Sequence, residues 1–191
     1  MKFDISGNHC SVDLETLDLV PGGVIFSIGA IMFNVDGLLP GSAFSTIISV
    51  KSCEGFGLTV DQETLKWWEK QPDEARKVLT TARYGVADLL QFALGKFSHY
   101  LGQQDPAGIW GNGASFDNAF LEVAYSKAGL PPPWNYKKNK CFRTLSALVG
   151  DSVAKPDGDY LVKHNALDDA KYQAYRAVSI FQELRKINES Q

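Results

Sequence analysis

His9-Cys10-Ser11-Val12-Asp13-Leu14-Glu15-Thr16 is the stretch on which the fold turns. Residues 8–14 read as a strand, whose side chains alternate faces with period two. Asp13 and Glu15 then point the same way. Two adjacent carboxylates repel, and burying either without a partner is costly. A divalent cation between them removes both objections. Two more acids recur far downstream: Asp117 closes Gly111-Asn112-Gly113-Ala114-Ser115-Phe116-Asp117, and Asp169 stands five residues after His164 in His164-Asn165-Ala166-Leu167-Asp168-Asp169. Four carboxylates and one histidine suit a two-metal site that cleaves phosphodiesters.

Working outward from the first strand, Gly22-Gly23 turn the chain into Val24 to Phe33, a β-branched and aromatic run of the kind found in central strands. Asp36-Gly37 marks a second turn, and Phe44 to Val50 reads as a third strand. This spacing predicts an antiparallel meander with the first strand central in the sheet. Beyond it the texture becomes helical. Thr59 and Asp61 are N-cap candidates, Thr59 with Gln62 at capping-box spacing. The helix through Leu65, Trp67 and Trp68 is expected to end near Gln71, because Pro72 disfavours continuation and opens the next helix at Asp73. Val86, Leu89, Leu90, Ala93, Leu94, Phe97 and Leu101 follow helical spacing and predict one long amphipathic helix. Ile109-Trp110 is a short strand. Ser115 is expected to cap the following helix, which Gly129 and Pro131-Pro132-Pro133 close. Asn135 to Lys140 reads as a polar, basic stretch before a short helix from Phe142 to Val149. Asp157-Gly158-Asp159 reads as a loop, and Asn165 as the cap of a last helix with Leu167, Ala170, Ala174, Val178 and Phe181 buried. The order βββ-α-β-α-α predicts a mixed sheet with helices on both faces.

The 191 residues suit one domain, 1–191, with a full-sized core. Hydrophobic residues at 45% and charged residues at 21% are ordinary for a soluble protein. The N-terminus carries no apolar run of signal-peptide length, and no stretch is long enough to span a membrane. Cys10, Cys53 and Cys141 lack metal-ligand spacing, and an odd count without a secretion signal points to reduced thiols in the cytoplasm. A formal net charge of −3 argues against a long footprint on duplex nucleic acid. It leaves room for an enzyme that grips a chain end, since bound cations offset the acidic site.

Each feature also has an ordinary explanation. Taken alone, Asp13 and Glu15 are exposed charges in a turn, Asp117 a first-turn helix acid, and His164 a capping histidine. Trp67 and Trp68 are expected mainly to pack, since helical spacing buries at least one of them. Lys137, Lys138 and Lys140 divide between a solvated loop and phosphate contacts. Gly111-Asn112-Gly113 is no dinucleotide fingerprint, lacking the third glycine and the acidic ribose ligand. Asp157-Gly158-Asp159 lacks the rest of a calcium loop.

In combination, Asp13-x-Glu15, then Asp117 after a glycine-rich strand end, then His164-x-x-x-x-Asp169, resemble the three motifs of the DEDDh 3′–5′ exonucleases, the superfamily of polymerase proofreading subunits and ribonuclease T. Order and spacing agree over nearly the whole chain. The texture of Asp13-Leu14-Glu15-Thr16-Leu17, Trp67-Trp68-x-x-Gln71-x-x-Glu74-Ala75-Arg76 and His164 to Ala170 is similar to the small phage and bacterial branch, described as exodeoxyribonuclease VIII-like or as 3′–5′ exoribonuclease-like. The chain departs from that branch before Arg143-Thr144, where Lys137 to Phe142 replace a segment richer in Trp and Asp.

The resemblance implies an α/β, ribonuclease H-like fold with a five-stranded mixed sheet flanked by helices. It implies an exonuclease acting on single-stranded or 3′-overhanging DNA or RNA, with DNA favoured, and two divalent cations, Mg²⁺ or Mn²⁺, about 3.5–4 Å apart. Hard cations take oxygen ligands, which suits Asp and Glu. By resemblance Asp13 bridges both cations, Glu15 and Asp169 bind the one carrying the nucleophilic water, and Asp117 holds the other. Spacing from His164 favours Asp169 as the last acid, with Asp168 the alternative. His164 is the implied general base, histidine being the residue type that ordinarily titrates near neutrality. Leu14, Thr16, Leu17, Asn112, Phe116, Arg143 and Asn165 are implied in substrate binding: Thr16 at the terminal ribose, Leu17 on the last base, Phe116 as a stacking platform. A homodimer is compatible with the family. The reading from another class is a catalytically silent nucleic-acid-binding or proofreading-type module on the same fold.

Overall fold

The structure is a computed structural model and describes residues 4–113, 115–150, 152–157 and 161–190. Strand β1 (His9–Thr16) lies at the centre, antiparallel to β2 (Ile25–Asn34) on one side and parallel to β5 (Gly108–Gly111) on the other. Beyond β5 runs β6 (Asn139–Cys141), also parallel. On the far edge of β2 sit two segments, β3 (Gly37–Leu38) beside Phe33 and Asn34, and β4 (Phe44–Ile47) beside Ser27 to Ala30. Both occupy one position across the sheet, so the expected five-stranded mixed sheet is drawn from six named segments.

Several expected boundaries shift in the structure. The third strand ends at Ile47 rather than Val50, because Ser49 caps a short helix, α1 (Val50–Gly55), by accepting from the Ser52 amide. Asp61, not Thr59, caps α2 (Gln62–Trp68); its carboxylate accepts from the Thr64 amide at 2.7 Å, whereas the Thr59 hydroxyl donates to Asp18. That helix stops at Trp68, before the expected Gln71. Pro72 opens α3 (Asp73–Tyr84) as expected. The next helix, α4, starts only at Leu90 and runs to Gln104. Leu90, Ala93, Leu94, Phe97 and Leu101 form its buried stripe, while Val86 (98% exposed) and Leu89 (65%) lie outside it in solvent. Their phase with the stripe is accidental, since the chain between Gly85 and Leu89 is extended or turned. Phe116 rather than Ser115 occupies the cap position of α5 (Asp117–Lys127), with no side-chain capping bond. The basic stretch contains a single 3₁₀ turn (Tyr136–Lys138) and then β6, a strand with too few apolar residues to announce itself. Helix α6 (Phe142–Val149) and the long α7 (Ala166–Glu189), capped by Asn165, stand where expected. Of the Asp157-Gly158-Asp159 loop, Gly158 and Asp159 lie outside the described residues.

The sheet separates two apolar layers. Cys10, Val12 and Leu14 of β1 with Ile28, Ala30 and Met32 of β2 face a large core built on α1 to α5. The alternate residues of β2, Ile31 and Phe33, face a smaller core with Phe142, Ala174, Ala177, Val178 and Phe181 of α6 and α7. Period two therefore assigns Asp13 and Glu15 to the α7 side. Gly29 lies opposite Asp13 on β2, and α7 begins directly above it. A Cβ at position 29 would stand 2.1 Å from the carbonyl carbon of Ala166 and from the amide nitrogen of Leu167, so only glycine admits the helix there. Farther along α7, the buried Arg176 guanidinium donates to the carbonyls of Gly150 (2.8 Å), Ala154 (2.7 Å) and Val153, tying the α6–α7 connection to the helix. Among the described residues no helix is long and apolar enough to cross a membrane.

Candidate active site

Three elements deliver the acids. Strand β1 carries Asp13 and Glu15 near its C-terminal end, α5 carries Asp117 as its first residue, and α7 carries Asp169 in its first turn. One oxygen each from Asp13, Glu15 and Asp169 lies within 4.8 Å of the others. Asp117 stands beside them: its charge is the largest electrostatic influence on Asp13 and also acts on Glu15. The four acids thus share one neighbourhood. Their placement follows from packing. Gly29 brings the start of α7 down onto the sheet, and Gly111 does the same for α5, since a Cβ on Gly111 would lie 2.7 Å from that of Asp117.

Asp168, the alternative to Asp169, faces elsewhere. It pairs with Lys171 at 3.0 Å and accepts the Val162 amide at 3.2 Å. Asp169 instead accepts the backbone N–H of His164 at 3.0 Å, closing the loop that presents the histidine. His164 adopts a left-handed backbone, φ +60°, uncommon for a residue with a side chain. Its ring meets the edges of Trp67 and Trp68, with centroids 5.0 and 5.9 Å away.

The electrostatics of the cluster favour a positive charge among the acids. Burial, then the charges of Asp117, Glu15 and Asp169, holds the Asp13 carboxyl well above the ordinary range, against a single side-chain donor, Gln173 Nε2 at 2.7 Å. Burial, then Asp169 and Asp117, pushes Glu15 up to about 8. Burial raises Asp117 to about 7, although amides of its own residue, Asn112 and Leu14 and the nearby Arg143 all favour its charged form. Asp169 is raised by burial and partly relieved by His164. Glu15 Oε1, Asp117 Oδ2 and Gln173 Oε1 are buried with no hydrogen-bond partner. Buried oxygens without donors are costly unless something binds them. A set of hard carboxylate oxygens, with no sulfur or nitrogen ligand among them, fits Mg²⁺ or Mn²⁺.

The residues expected to meet substrate divide. Leu14, Thr16 and Phe116 line a hollow of about 430 Å³ beside the acids, together with Glu15, Trp67 and Trp68. Leu17 is a correction: it is 1% exposed and lies in the main core, turned toward a different hollow with Val50 and Leu65, so of the two leucines only Leu14 lines the hollow beside the acids. The Thr16 hydroxyl donates to the Asp18 carbonyl at 2.8 Å. Asn165 spends its side-chain carbonyl on the cap of α7, accepting from Asp168. Asn112 acts through its backbone: its amide supports Asp117, and its carbonyl accepts from Arg143 at 3.0 Å. Trp68 is buried and donates its indole N–H to the Thr16 carbonyl at 2.9 Å, whereas Trp67 keeps 44% of its surface. The lysine run stands away from the acids. Lys138 pairs with Asp105, just before β5, and the Lys140 side chain approaches Gly108, at the end of the parallel strands remote from Glu15. Reasoning from sequence misses Gln173. Its one available signal is its spacing, a single helical turn beyond Asp169.

The architecture is that of the DEDDh exonucleases. The nuclease domain of 3′hExo, a DEDDh family member solved bound to rAMP, superposes with a TM-score of 0.61 at 15% identity, covering 94% of each chain. Cell-death related nuclease 4 (CRN-4) gives 0.63 at 11% identity, covering 96% of this chain and 65% of that one. E. coli Exonuclease I, in complex with a dA16 oligonucleotide, gives 0.60 at 13% identity, over 97% of this chain and 43% of that one. These likenesses concern the fold. Comparison with curated proteins returns no match. The family model of the Rv2179c-like 3′–5′ exoribonuclease domain matches residues 8–181, and the chain belongs to that family. Membership makes it an exonuclease, built on the fold that the DEDDh enzymes share.

Proposed function

We propose that the protein removes nucleotides one at a time from the 3′ end of single-stranded or 3′-overhanging nucleic acid, releasing nucleoside 5′-monophosphates with the help of two divalent cations. The observation that carries this reading is the convergence of Asp13, Glu15, Asp117 and Asp169 with buried oxygens that lack donors. Asp13, Glu15 and Asp169 would hold one cation and Asp13 with Asp117 the other. When bound, the pair would supply charge neutralisation for the attacking water and the departing 3′-oxygen. His164 takes the proton of that water on an imidazole nitrogen as oxygen attacks the terminal phosphodiester phosphorus. The bond from phosphorus to the 3′-oxygen of the preceding nucleotide breaks, and that oxygen takes a proton from solvent to become the 3′-hydroxyl of the shortened chain. The left-handed turn at His164 and its N–H to Asp169 fix the histidine loop against the acid it serves.

The hollow bounded by Leu14, Phe116 and Trp67 suits the terminal base, with aromatic stacking worth about 1–3 kcal/mol per base. Arg143, tethered to the Asn112 carbonyl beside Asp117, would meet a phosphate of the substrate, a reading supported by that tether. The texture shared with the phage-like branch leans toward DNA. The family description names an exoribonuclease, and on that ground we take RNA as the substrate. A silent binding module is disfavoured, because such a module has no use for four mutually repelling carboxylates.

The test is a 3′-labelled oligonucleotide with Mg²⁺ or Mn²⁺, as RNA and as DNA of one sequence. Wild-type protein is expected to release labelled mononucleotide, faster from RNA, and Asp13→Ala to release none. No cleavage by wild type with either metal would favour the silent module, and faster release from DNA would reverse the substrate assignment.

A further inference from the structure

Gln173 lies one turn beyond Asp169 on α7 and is 4% exposed, deep between the helix and β1. Its amide nitrogen donates to Asp13 Oδ1 at 2.7 Å, and no other side-chain hydrogen bond favours the charged form of that carboxylate. An amide does this without charge, whereas a carboxylate would repel Asp13 and a lysine would compete as a cation. The bond also decides which way the amide faces, because only its nitrogen can serve the acceptor. Its Oε1 is therefore directed elsewhere, and it is buried without a partner. A buried amide oxygen beside four acids cannot take a hydrogen from any of them once they are ionised. It needs a donor from outside the protein.

We propose that Gln173 is the positioning residue of the metal centre: its Nε2 fixes the Asp13 carboxylate so that the other oxygen faces the cation, and its Oε1 accepts a hydrogen bond from a water in the cation's hydration shell. This rests on the metal-site reading given above. Two of the other acids are oriented by backbone amides, Asp169 from His164 and Asp117 from Asn112 and Leu14. No backbone amide is among the groups that favour the charged form of Asp13, so its orientation falls to a side chain. Partners of this kind, behind the ligands, typically change metal affinity by about 10–100-fold when removed.

Direct Mn²⁺ binding, followed calorimetrically on metal-free protein without nucleic acid, tests the assignment. Gln173→Leu keeps the volume and removes both polar ends; it is expected to weaken Mn²⁺ by about tenfold or more. Gln173→Asn keeps the amide one methylene short of Asp13 and is expected to lose affinity to the same degree. Electron spin resonance of bound Mn²⁺ should broaden in both variants as the Asp13 carboxylate loosens. Wild-type affinity in both folded variants would overturn the proposal, as would a loss of thermal stability with Mn²⁺ affinity unchanged, which marks a purely structural glutamine. If circular dichroism shows Gln173→Leu to be unfolded, Gln173→Asn alone decides: weakened Mn²⁺ supports the proposal and wild-type affinity overturns it. Wild-type protein that binds no Mn²⁺ would instead overturn the metal-site reading beneath the proposal.

Discussion

At the scale of single residues, the chemistry depends on small differences between neighbours. Asp168 and Asp169 have the same side chain and adjacent positions. A helix turns about 100° per residue, so only one of them can face β1 while the other meets Lys171. His164 is similarly defined by its surroundings: its amide is held by Asp169 and its ring by the two tryptophans. Among the described residues its ring makes no hydrogen bond to an acid, so its loss should spare the proposed metal centre. His164→Ala is expected to slow hydrolysis by about 10²–10⁴-fold, the range for general acid–base catalysis, with Mn²⁺ and oligonucleotide affinities within a factor of about two. Single-turnover rates beside calorimetric binding check this. A parallel collapse of metal binding would make His164 a ligand or a structural residue.

Elements succeed or fail by how closely they pack. Helix α7 supplies Asp169 and Gln173, follows directly from His164, and meets the sheet at a glycine. Gly29→Ala would place a methyl group 2.1 Å from helix backbone, where no side chain can swing aside. Overpacking of this sort costs about 1–3 kcal/mol, occasionally more, and it would lift the start of α7 away from Asp13. The variant is expected to unfold at lower urea concentration and to bind Mn²⁺ more weakly, because Asp169 moves with the helix. Wild-type midpoint and affinity together would mean that α7 does not rest on Gly29. The α2 helix shows the same economy of contact. Buried Trp68 anchors it to the end of β1 through the Thr16 carbonyl, which leaves Trp67 exposed to wall the hollow.

For the molecule as a whole, the acid cluster links stability to pH and to metal. Glu15 is raised from 4.5 to about 8 and Asp117 from 3.8 to about 7. Between the unfolded and folded values the native state holds more protons than the unfolded chain, so unfolding free energy falls as pH rises. Buried His9, whose imidazole is held below its ordinary 6.5 by burial, works in the opposite sense at lower pH and is spent by about that value. Metal-free protein is therefore expected to melt lower at pH 8 than at pH 6.5. Mn²⁺ at about 100 times its dissociation constant should restore roughly 2.7 kcal/mol at pH 8. At roughly 2–4 °C per kcal/mol for a chain of this length, that is a rise of about 5–10 °C. Melting curves at the two pH values, with and without Mn²⁺, decide it. A metal-free melting point that is flat or rising over this interval would mean the acids are not buried as a group.

Much of this is legible in the letters. The period of a strand assigns Asp13 and Glu15 to one face, Pro72 and Asn165 mark where helices start, and the chain itself gives the order of the acids. All of these depend on near neighbours in sequence. Other features are decided only by tertiary contact. Val86 and Leu89 keep helical phase yet lie in solvent, because periodicity records spacing and not what a residue packs against. Leu17 turns into the core through the irregularity in β1–β2 pairing at Glu15 and Thr16, beyond which simple alternation no longer applies. Gln173 becomes the partner of Asp13 across 160 positions of chain, a pairing made by the docking of α7 on Gly29. Sequence determined which groups this protein could bring to a reaction; the close approach of helix to sheet decided which of them meet.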